Sequence, residues 1–219
     1  TSIFSGGSYG NVHLPEPHAS APVCRSGQES RWASGLRDAS APYHRSHGED
    51  ICPKGNIADL TLLQAIEDEA DTLFASIFSI GEWRPAPASI ERSRQRGYIL
   101  VASEGRGLEP LGFAHVLGIP GGDHLEQLSV RPSLARRGHG RALVEAVKGE
   151  SGRRGSKRVT LRTYAEVPWN APFYASCGFV ESDPDTDFLR DLLIVEQRRG
   201  LGYGRRVQMT FDLTDSSSQ

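Results

Sequence analysis

The feature that most limits the fold of this chain is a segment rich in glycine and arginine between a strand-like run and a helix-like run. It has the sequence VRPSLARRGHGRALV and spans residues 130–144. A strand that turns into a helix here presents the N–H groups and the positive dipole end of the helix start, which attract anions. Two glycines would let oxygen atoms approach the main chain, and three arginines would add charge-assisted hydrogen bonds. These residues are Gly138, Gly140, Arg136, Arg137 and Arg141. The segment therefore predicts a binding loop for a diphosphate.

This segment does not identify a ligand by itself. Glycine also serves tight strand-to-helix turns for steric reasons alone, and exposed arginines are common. The sequence contains no G-x-x-x-x-G-K-[ST] motif. The stretch around Gly138 also lacks the third glycine and the following acidic residue of a dinucleotide-binding fingerprint.

Composition separates the first quarter of the chain from the rest. Residues 1–50 are rich in Ser, Gly, Pro, His and Arg and show no apolar periodicity. Such a segment cannot bury enough apolar surface to offset the entropy lost on ordering, so a flexible low-complexity N-terminal tail is predicted. Residues 51–214 are predicted to form one domain, and residues 215–219 a disordered C-terminal tail. Because the histidines of the N-terminal tail are irregularly spaced, no metal site is predicted.

Charge and cysteine content limit the class of partner. The net charge is −2, with 25 basic and 27 acidic residues mixed along the chain, which predicts no nucleic-acid partner and no membrane partner. No export signal and no run of apolar residues long enough to span a bilayer is found. The three cysteines are odd in number and lack C-x-x-C spacing, which argues against a disulfide framework and favours a cytoplasmic setting.

Apolar periodicity predicts the order of helices and strands. The predicted helices run from an Asp59 N-cap to Ile77 and over residues 88–96, 140–150, 171–177 and 187–198. The predicted strands are residues 98–103, 111–117, 124–130 and 158–164, one that begins at Phe179, and residues 205–213. The first three strands indicate an antiparallel meander, and the strand, helix and strand that follow indicate a parallel crossover. This order predicts a mixed α/β sheet.

Two segments resemble the GCN5-related N-acetyltransferase (GNAT) family. Residues 130–132, Val-Arg-Pro, and residues 135–140, Ala-Arg-Arg-Gly-His-Gly, are similar to the family signature, in which a strand ends in V-x-P and [QR]-x-x-G-x-[GA] precedes a helix. Residues 170–179, NAPFYASCGF, look like the stretch that follows the fifth strand of the family. Ala135 departs from the signature, which has Gln or Arg there, so one side-chain contact is weakened while the main-chain N–H groups remain. With the strand order, the resemblance covers about residues 56–213.

The resemblance implies a fold and a co-substrate. The fold is a mixed, mostly antiparallel twisted sheet flanked by helices, with a V-shaped split between the fourth and fifth strands. The co-substrate is acetyl-coenzyme A (acetyl-CoA), with its pantetheine arm along the signature strand and its pyrophosphate on the loop. The residues implied to bind it are Leu128, Ser129, Val130, Arg136, Arg137, Gly138, His139, Gly140, Arg141, Asn170 and Phe173. Asn170 is also suited to capping the short helix that follows it.

Acetyl transfer from a thioester to an amine needs an acid for the departing thiolate and a base for the ammonium proton. The resemblance assigns the acid to Tyr174. Glu126 and His124, on the signature strand, are the candidates for the base, directly or through water. Period-2 alternation places both side chains on the same face as Leu128 and Val130 unless a bulge intervenes.

Other residues and other functions stay open at this point. Cys177 is predicted to be a core thiol and not a nucleophile, because no His or Asp signature accompanies it. Trp83, Trp169 and Tyr164 are candidates for an acceptor pocket or for the core. The predicted acceptor is a primary amine of a small molecule, attacked directly by an enzyme that is a monomer or a homodimer. The alternatives are protein N-termini or lysines as acceptors, or a CoA-binding sensor protein without transfer activity.

Overall fold

The computed structural model describes residues 50–53, 57–78, 92, 94–104, 109–198 and 204–213. The predicted N-terminal tail before residue 50 and the predicted C-terminal tail lie outside these residues. Trp83 and most of the helix predicted at 88–96 also lie outside them. Residues 94–96 form a turn and bends, so the predicted end of that helix is wrong.

Within the described residues, the chain forms seven strands and four α-helices. The strands are β1 (Asp50–Pro53), β2 (Gly97–Ser103), β3 (Pro110–Ile119), β4 (Gly122–Val130), β5 (Arg158–Tyr164), β6 (Val180–Ser182) and β7 (Arg206–Asp212). The helices are α1 (Ile57–Phe78), α2 (His139–Arg153), α3 (Ala171–Ser176) and α4 (Asp187–Arg198). Among the described helices, none combines the length and the apolar character that a bilayer crossing requires.

All seven strands belong to one sheet with the order β1-β2-β3-β4-β5-β7-β6. Five neighbouring pairs are antiparallel, and β4 and β5 are parallel. β2, β3 and β4 form the predicted meander, and α2 provides the crossover from β4 to β5. The predicted fold class, a mixed and mostly antiparallel sheet flanked by helices, is confirmed.

Two predictions at the start of the domain fail. The sequence does not predict β1, yet it pairs antiparallel with β2 from Asp50, opposite Ser103, to Pro53, opposite Leu100. Such a short edge strand has almost no periodicity of its own, and its neighbour in the sheet decides its conformation. α1 begins at Ile57, so Asp59 lies inside the helix and not at its N-cap.

One side of the sheet, which we call the apolar face, is covered by α2. The helix packs Leu143, Val144 and Val147 onto this face, and each is 0% exposed. The strands contribute Tyr98, Leu100, Ala114, Val116, Leu125, Leu128, Val130, Val159, Leu161, Val207 and Met209 to the same cluster. Burial of one large aliphatic side chain stabilises the fold by about 1.5–3 kcal/mol, so this cluster is the main core.

The opposite side of the sheet, which we call the polar face, is covered by α1 and α4. α1 packs Leu63 and Ile66 over β2 and β3. α4 packs Phe188, Leu189 and Leu192 over the end of β3. Between these two apolar contacts the strands carry buried polar side chains, which are His115, His124, Gln127, Ser129, Thr160, Arg162 and Gln208.

Candidate active site

β4 and β5 are paired over only part of their length. The parallel ladder joins residues 123–125 of β4 to residues 159–161 of β5. β4 continues to Val130 and β5 to Tyr164. The two strands therefore separate after the ladder and open a V-shaped split between the fourth and fifth strands, where the resemblance places it.

A β-bulge lies where this split begins. β3 pairs His115 with Gln127, and its next residue, Val116, with Leu125. Glu126 is therefore an extra residue of β4 that has no counterpart on β3. A bulge of this kind bends the strand and reverses the alternation of side chains on its two sides.

The bulge changes the face on which the candidate base His124 lies. Without it, alternation would place both candidate bases beside Leu128 and Val130. His124 instead lies on the polar face, where its ring contacts Phe188 at a centroid distance of 5.9 Å. Leu128 and Val130 belong to the apolar cluster. The predicted alternation is wrong because the extra residue, Glu126, shifts every side chain before it in β4 to the other face of the sheet.

The loop after β4 leads into α2 through an unusual backbone turn. Residues Pro132–Leu134 form a 3-10 helix, and Gly138 occupies the N-cap of α2 with a left-handed φ of 97°. This conformation costs a residue with a Cβ atom about 1–2 kcal/mol. A Cβ atom on Gly138 would meet no other atom within 4 Å. Glycine is thus needed for the backbone conformation, and the space in front of the helix start is open.

The start of α2 is exposed and positively charged. Arg136, Arg137 and Arg141 are exposed, and the described first turn of α2 contains no acidic residue. The N–H groups of a first helical turn have no partners within the helix, and the helix dipole adds positive potential. Arg141 also donates hydrogen bonds to the carbonyl and the Oγ of Ser176, at 3.0 and 2.8 Å. The arrangement suits a diphosphate and connects this loop to α3.

Tyr174, the candidate acid, lies in α3 and is 0% exposed. Its ring contacts Phe173 and Phe179 at centroid distances of 4.9 and 5.9 Å. The Tyr174 hydroxyl has no hydrogen-bond partner among the described residues. Burial, and to a smaller extent the neighbouring Cys177, raises the pKa of Tyr174 well above its ordinary value of 10.0. The hydroxyl therefore keeps its proton at neutral pH.

The two candidate bases are neighbours where the split begins. His124 Nε2 lies 3.9 Å from Glu126 Oε2, and His124 Nδ1 lies 2.9 Å from Thr160 Oγ1. Burial, followed by the positive charge of Arg162, lowers the pKa of His124 to about 3. A neutral imidazole with such a low pKa is a weak base. His124 is therefore poorly suited to accept a proton at neutral pH.

Sequence reasoning missed an ion cluster on the polar face. Glu196 of α4 accepts hydrogen bonds from Arg162 Nε of β5 and from one terminal nitrogen of Arg206 of β7, both at 2.9 Å. Burial disfavours the charged carboxylate, but the charges of Arg206 and Arg162 outweigh burial and hold the pKa of Glu196 below its ordinary value. The three residues come from separate elements, so no local spacing could have revealed the cluster.

The other implied coenzyme-binding residues lie around the split. Leu128, Ser129 and Val130 are buried on β4 beyond its ladder with β5. Phe173 is half-buried and packs against the apolar cluster. Asn170 occupies the N-cap of α3, but its side chain makes no capping hydrogen bond, so the capping alternative is wrong.

Several further residues lie in the environments expected of core or turn residues. His139 is buried at the first position of α2, and Gly140 follows it half-buried. Cys177 is 4% exposed, and burial raises the pKa of its thiol, which agrees with a core thiol. Tyr164 is 1% exposed, and half-buried Trp169 packs against the small cluster that Tyr164 forms.

Comparison with protein families decides what this domain is. Residues 95–181 match the model of the acetyltransferase (GNAT) domain. Residues 95–181 therefore form a GNAT domain. The match includes the β4 bulge, the split, the loop before α2 and all of α3, whereas Glu196 and Arg206 of the ion cluster lie beyond it. This match confirms the predicted family and the prediction of an acyltransferase.

Solved structures show the same fold. The ribosomal-protein-S18-alanine N-acetyltransferase from Escherichia coli matches with a TM-score of 0.55 and 21% identity, over 78% of this chain and 97% of that one. An acetyltransferase of the GNAT family from Staphylococcus aureus Mu50 gives 0.53 and 13%, over 75% and 99%. The PaiA N-acetyltransferase from Thermoplasma acidophilum, solved with coenzyme A, gives 0.51 and 16%, over 75% and 98%.

Proposed function

We propose that this GNAT domain transfers the acetyl group of acetyl-CoA to the primary amine of a small molecule by direct attack. The observation that carries this proposal is the buried Tyr174 hydroxyl, which has no hydrogen-bond partner among the described residues. Tyr174 shares a cluster with Leu125 and Leu161, the residues at which β4 and β5 separate. A protonated hydroxyl near this point could protonate a thiolate that leaves in the split, which supports the proposed acid role.

The co-substrate is proposed to bind from the side of the apolar face. Its pyrophosphate lies at the start of α2, against Arg136 and Arg137 and the N–H groups after Gly138. Its pantetheine arm runs along residues 128–130 of β4, beyond the part of the strand that pairs with β5. The fold similarity to a structure solved with coenzyme A supports this placement.

The acceptor amine is proposed to enter from the polar face. The amine nitrogen attacks the thioester carbonyl, so that an N–C bond forms and the C–S bond breaks. Tyr174 donates its proton to the departing sulfur, and Glu126 takes the proton of the ammonium group, directly or through water. His124, which is a weak base because of its lowered pKa, lies 3.9 Å from Glu126 Oε2.

Burial supports a small acceptor over a polypeptide. The polar side chains near the split are almost fully enclosed, with Glu126 6%, Arg162 5% and Gln208 3% exposed. A polar site of this kind suits a small amine with further polar groups. A polypeptide acceptor, or a sensor that binds coenzyme A without transferring acetyl, would be identified by the outcome of the following test.

The test combines binding with turnover in one buffer. Isothermal titration with acetyl-CoA and with coenzyme A is followed by a thiol-release assay over tyramine, spermidine, an aminoglycoside, a peptide with a free N-terminal alanine and a peptide with an internal lysine. We expect binding of both coenzymes and thiol release with at least one small amine. Release with peptides alone would reject the small acceptor, and binding without any release would favour the sensor. The absence of binding would reject the function altogether.

Gly138→Trp tests the position of the diphosphate. The indole would fill the space in front of α2, so we expect coenzyme A to bind on the order of 100-fold more weakly, a loss of about 2.7 kcal/mol. Gly155→Trp is the matched control, because Gly155 also has a left-handed φ and open space, at the other end of α2. Equal coenzyme A affinities of the two variants would place the diphosphate elsewhere.

A further inference from the structure

The helix that carries Tyr174 is too short to be stable without contacts to the rest of the domain. α3 has 6 residues, whereas isolated helices shorter than about 12–15 residues are marginal in water. The placement of the Tyr174 hydroxyl therefore depends on the contacts that α3 makes with the rest of the domain, including those at its C-terminal end.

Part of this end is held by the local backbone. Gly178 has a left-handed φ of 86°, and its N–H donates to the carbonyl of Ala175 at 2.9 Å. The N–H of Phe179 donates to the carbonyl of Tyr174 at 3.0 Å. Together these bonds form a Schellman motif, which satisfies carbonyls of the last turn. The next two carbonyls along the chain, those of Ser176 and Cys177, are not part of the motif.

Two cations of α2 bind these remaining carbonyls. Arg141 donates to the Ser176 carbonyl at 3.0 Å, and Lys148 Nζ donates to the Cys177 carbonyl at 2.5 Å. Arg141 and Lys148 occupy positions i and i+7 of the same helix, about two turns apart on one side of it. Cations near the C-terminus of a helix also interact favourably with its dipole.

The surroundings of Lys148 show that it is fixed in this position. The residue is 9% exposed, and its ammonium lies 4.1 Å from the centroid of the Phe211 ring. Glu145 accepts a second hydrogen bond from the ammonium at 2.9 Å. Burying an ammonium group is unfavourable unless it is paired and hydrogen-bonded, and here the partners are a carboxylate, an aromatic ring and the end of α3.

We propose that Lys148, together with Arg141, positions Tyr174 by holding the C-terminal end of α3. This proposal rests on the proposed function of Tyr174 as the acid. Because Arg141 also belongs to the loop that would bind the diphosphate, it connects that loop to the helix of the acid. The two cations are positioning residues, since they contact α3 and not the reacting atoms.

The first test compares coenzyme A with desulfo-coenzyme A, so that it needs no acceptor. A hydrogen bond between the Tyr174 hydroxyl and the sulfur would make coenzyme A bind about two- to twelvefold more tightly than the desulfo analogue. We expect this ratio to approach 1 in Lys148→Met, which keeps the apolar stem, and to return in Lys148→Arg. Lys157→Met, which replaces an exposed lysine, should keep the full ratio. A full ratio in Lys148→Met would overturn the proposal.

Tyr174→Phe separates this proposal from the proposed function. If the ratio is the same in Tyr174→Phe as in the unmodified chain, Tyr174 does not contact the sulfur and the acid role fails. Positioning is then decided by the NMR signal of Tyr174 in the full chain labelled with carbon-13 at tyrosine Cζ, assigned by its loss in Tyr174→Phe. We expect Lys148→Met to shift or broaden this signal, and Lys157→Met to leave it unchanged. An unchanged signal in a folded Lys148→Met protein would overturn the positioning role.

Discussion

The apolar and polar faces of the sheet are built from the same strands but stabilise the protein in different ways. On the apolar face, α2 packs Val144 and Val147 against aliphatic side chains. On the polar face, α4 contributes Glu196 to a buried cluster with Arg162 and Arg206. Burial itself makes the apolar contacts stabilising, whereas the buried charges are tolerated only because each has a partner of opposite charge.

In the proposed function, this difference separates the two proton transfers, one to each face of the sheet. On the apolar face, desolvation keeps the Tyr174 hydroxyl protonated, which is what an acid for the thiolate needs. On the polar face, a neutral His124 lies 3.9 Å from Glu126. The split between β4 and β5 is where the two environments meet, so an acetyl group held there would contact both.

The largest effect is expected when the ion cluster is broken. Glu196→Gln leaves two buried arginines without a carboxylate and should lower the free energy of unfolding by about 3–5 kcal/mol. Because the pKa of Glu196 is held below its ordinary value of 4.5, its contribution is present above that pH and is lost as pH falls through the folded-state pKa. Urea unfolding at neutral and acidic pH measures both effects. Glu166→Gln, at an exposed site, should change neither, and equal stabilities of the two variants would contradict the prediction.

Removing apolar volume from the other face tests the contrast directly. Leu143→Ala should lower the free energy of unfolding by about 2–5 kcal/mol, because the side chain is fully buried and leaves a cavity. Unlike the loss in Glu196→Gln, this loss should not depend on pH. Leu62→Ala is the control, since Leu62 is 38% exposed. A pH-dependent loss in Leu143→Ala would show that the two faces are not energetically separate.

Tyr174→Phe tests the chemistry assigned to the apolar face. We expect the turnover of thiol release to fall on the order of 100-fold, which corresponds to about 2.7 kcal/mol, with little change in acetyl-CoA affinity. Tyr98→Phe is the matched control, because the Tyr98 hydroxyl is buried on the same face and hydrogen-bonds Ser151 at 2.8 Å. That variant should lose about 1 kcal/mol of stability and keep its turnover. Unchanged turnover in Tyr174→Phe would remove the acid role.

The smallest effect, expressed per pH unit, concerns the histidines of the polar face. Burial, followed by the charge of Arg92 for His115 and of Arg162 for His124, lowers both pKa values to about 3. The unfolded chain binds protons at these residues below about pH 6.5 while the folded chain does not. The free energy of unfolding should therefore fall by about 1.4 kcal/mol per pH unit for each histidine as pH decreases. His115→Gln should remove one such contribution from the slope measured by urea unfolding, and an unchanged slope would show that His115 titrates normally.

Much of the fold follows from local sequence patterns. β5 and α4 have the boundaries that periodicity predicts, residues 158–164 and 187–198. The glycines and arginines before α2 also mark the turn between strand and helix, because a left-handed N-cap at Gly138 favours a residue without a side chain. β1 is the exception, since an edge strand of four residues is decided by its neighbour β2.

Only part of the candidate site could be predicted from the sequence. Tyr174 lies in a local motif and could be named from it as the candidate acid. The structure adds that its hydroxyl is buried. The bulge at Glu126 could not be predicted, because it depends on how β4 aligns with β3. Lys148 was also missed, since the carbonyl that it binds belongs to Cys177, on another helix.

The amino-acid sequence alone is enough to predict the order of helices and strands, the turn rich in glycine and arginine before α2 and the identity of the candidate acid. These depend on neighbouring residues, whose periodicity and backbone preferences act over a few positions. The tertiary structure alone decided on which face His124 lies, how Glu196 unites β5 and β7, and what holds α3 in place. Those features depend on register and on contacts between distant segments, which are formed only when the sheet and its helices pack together.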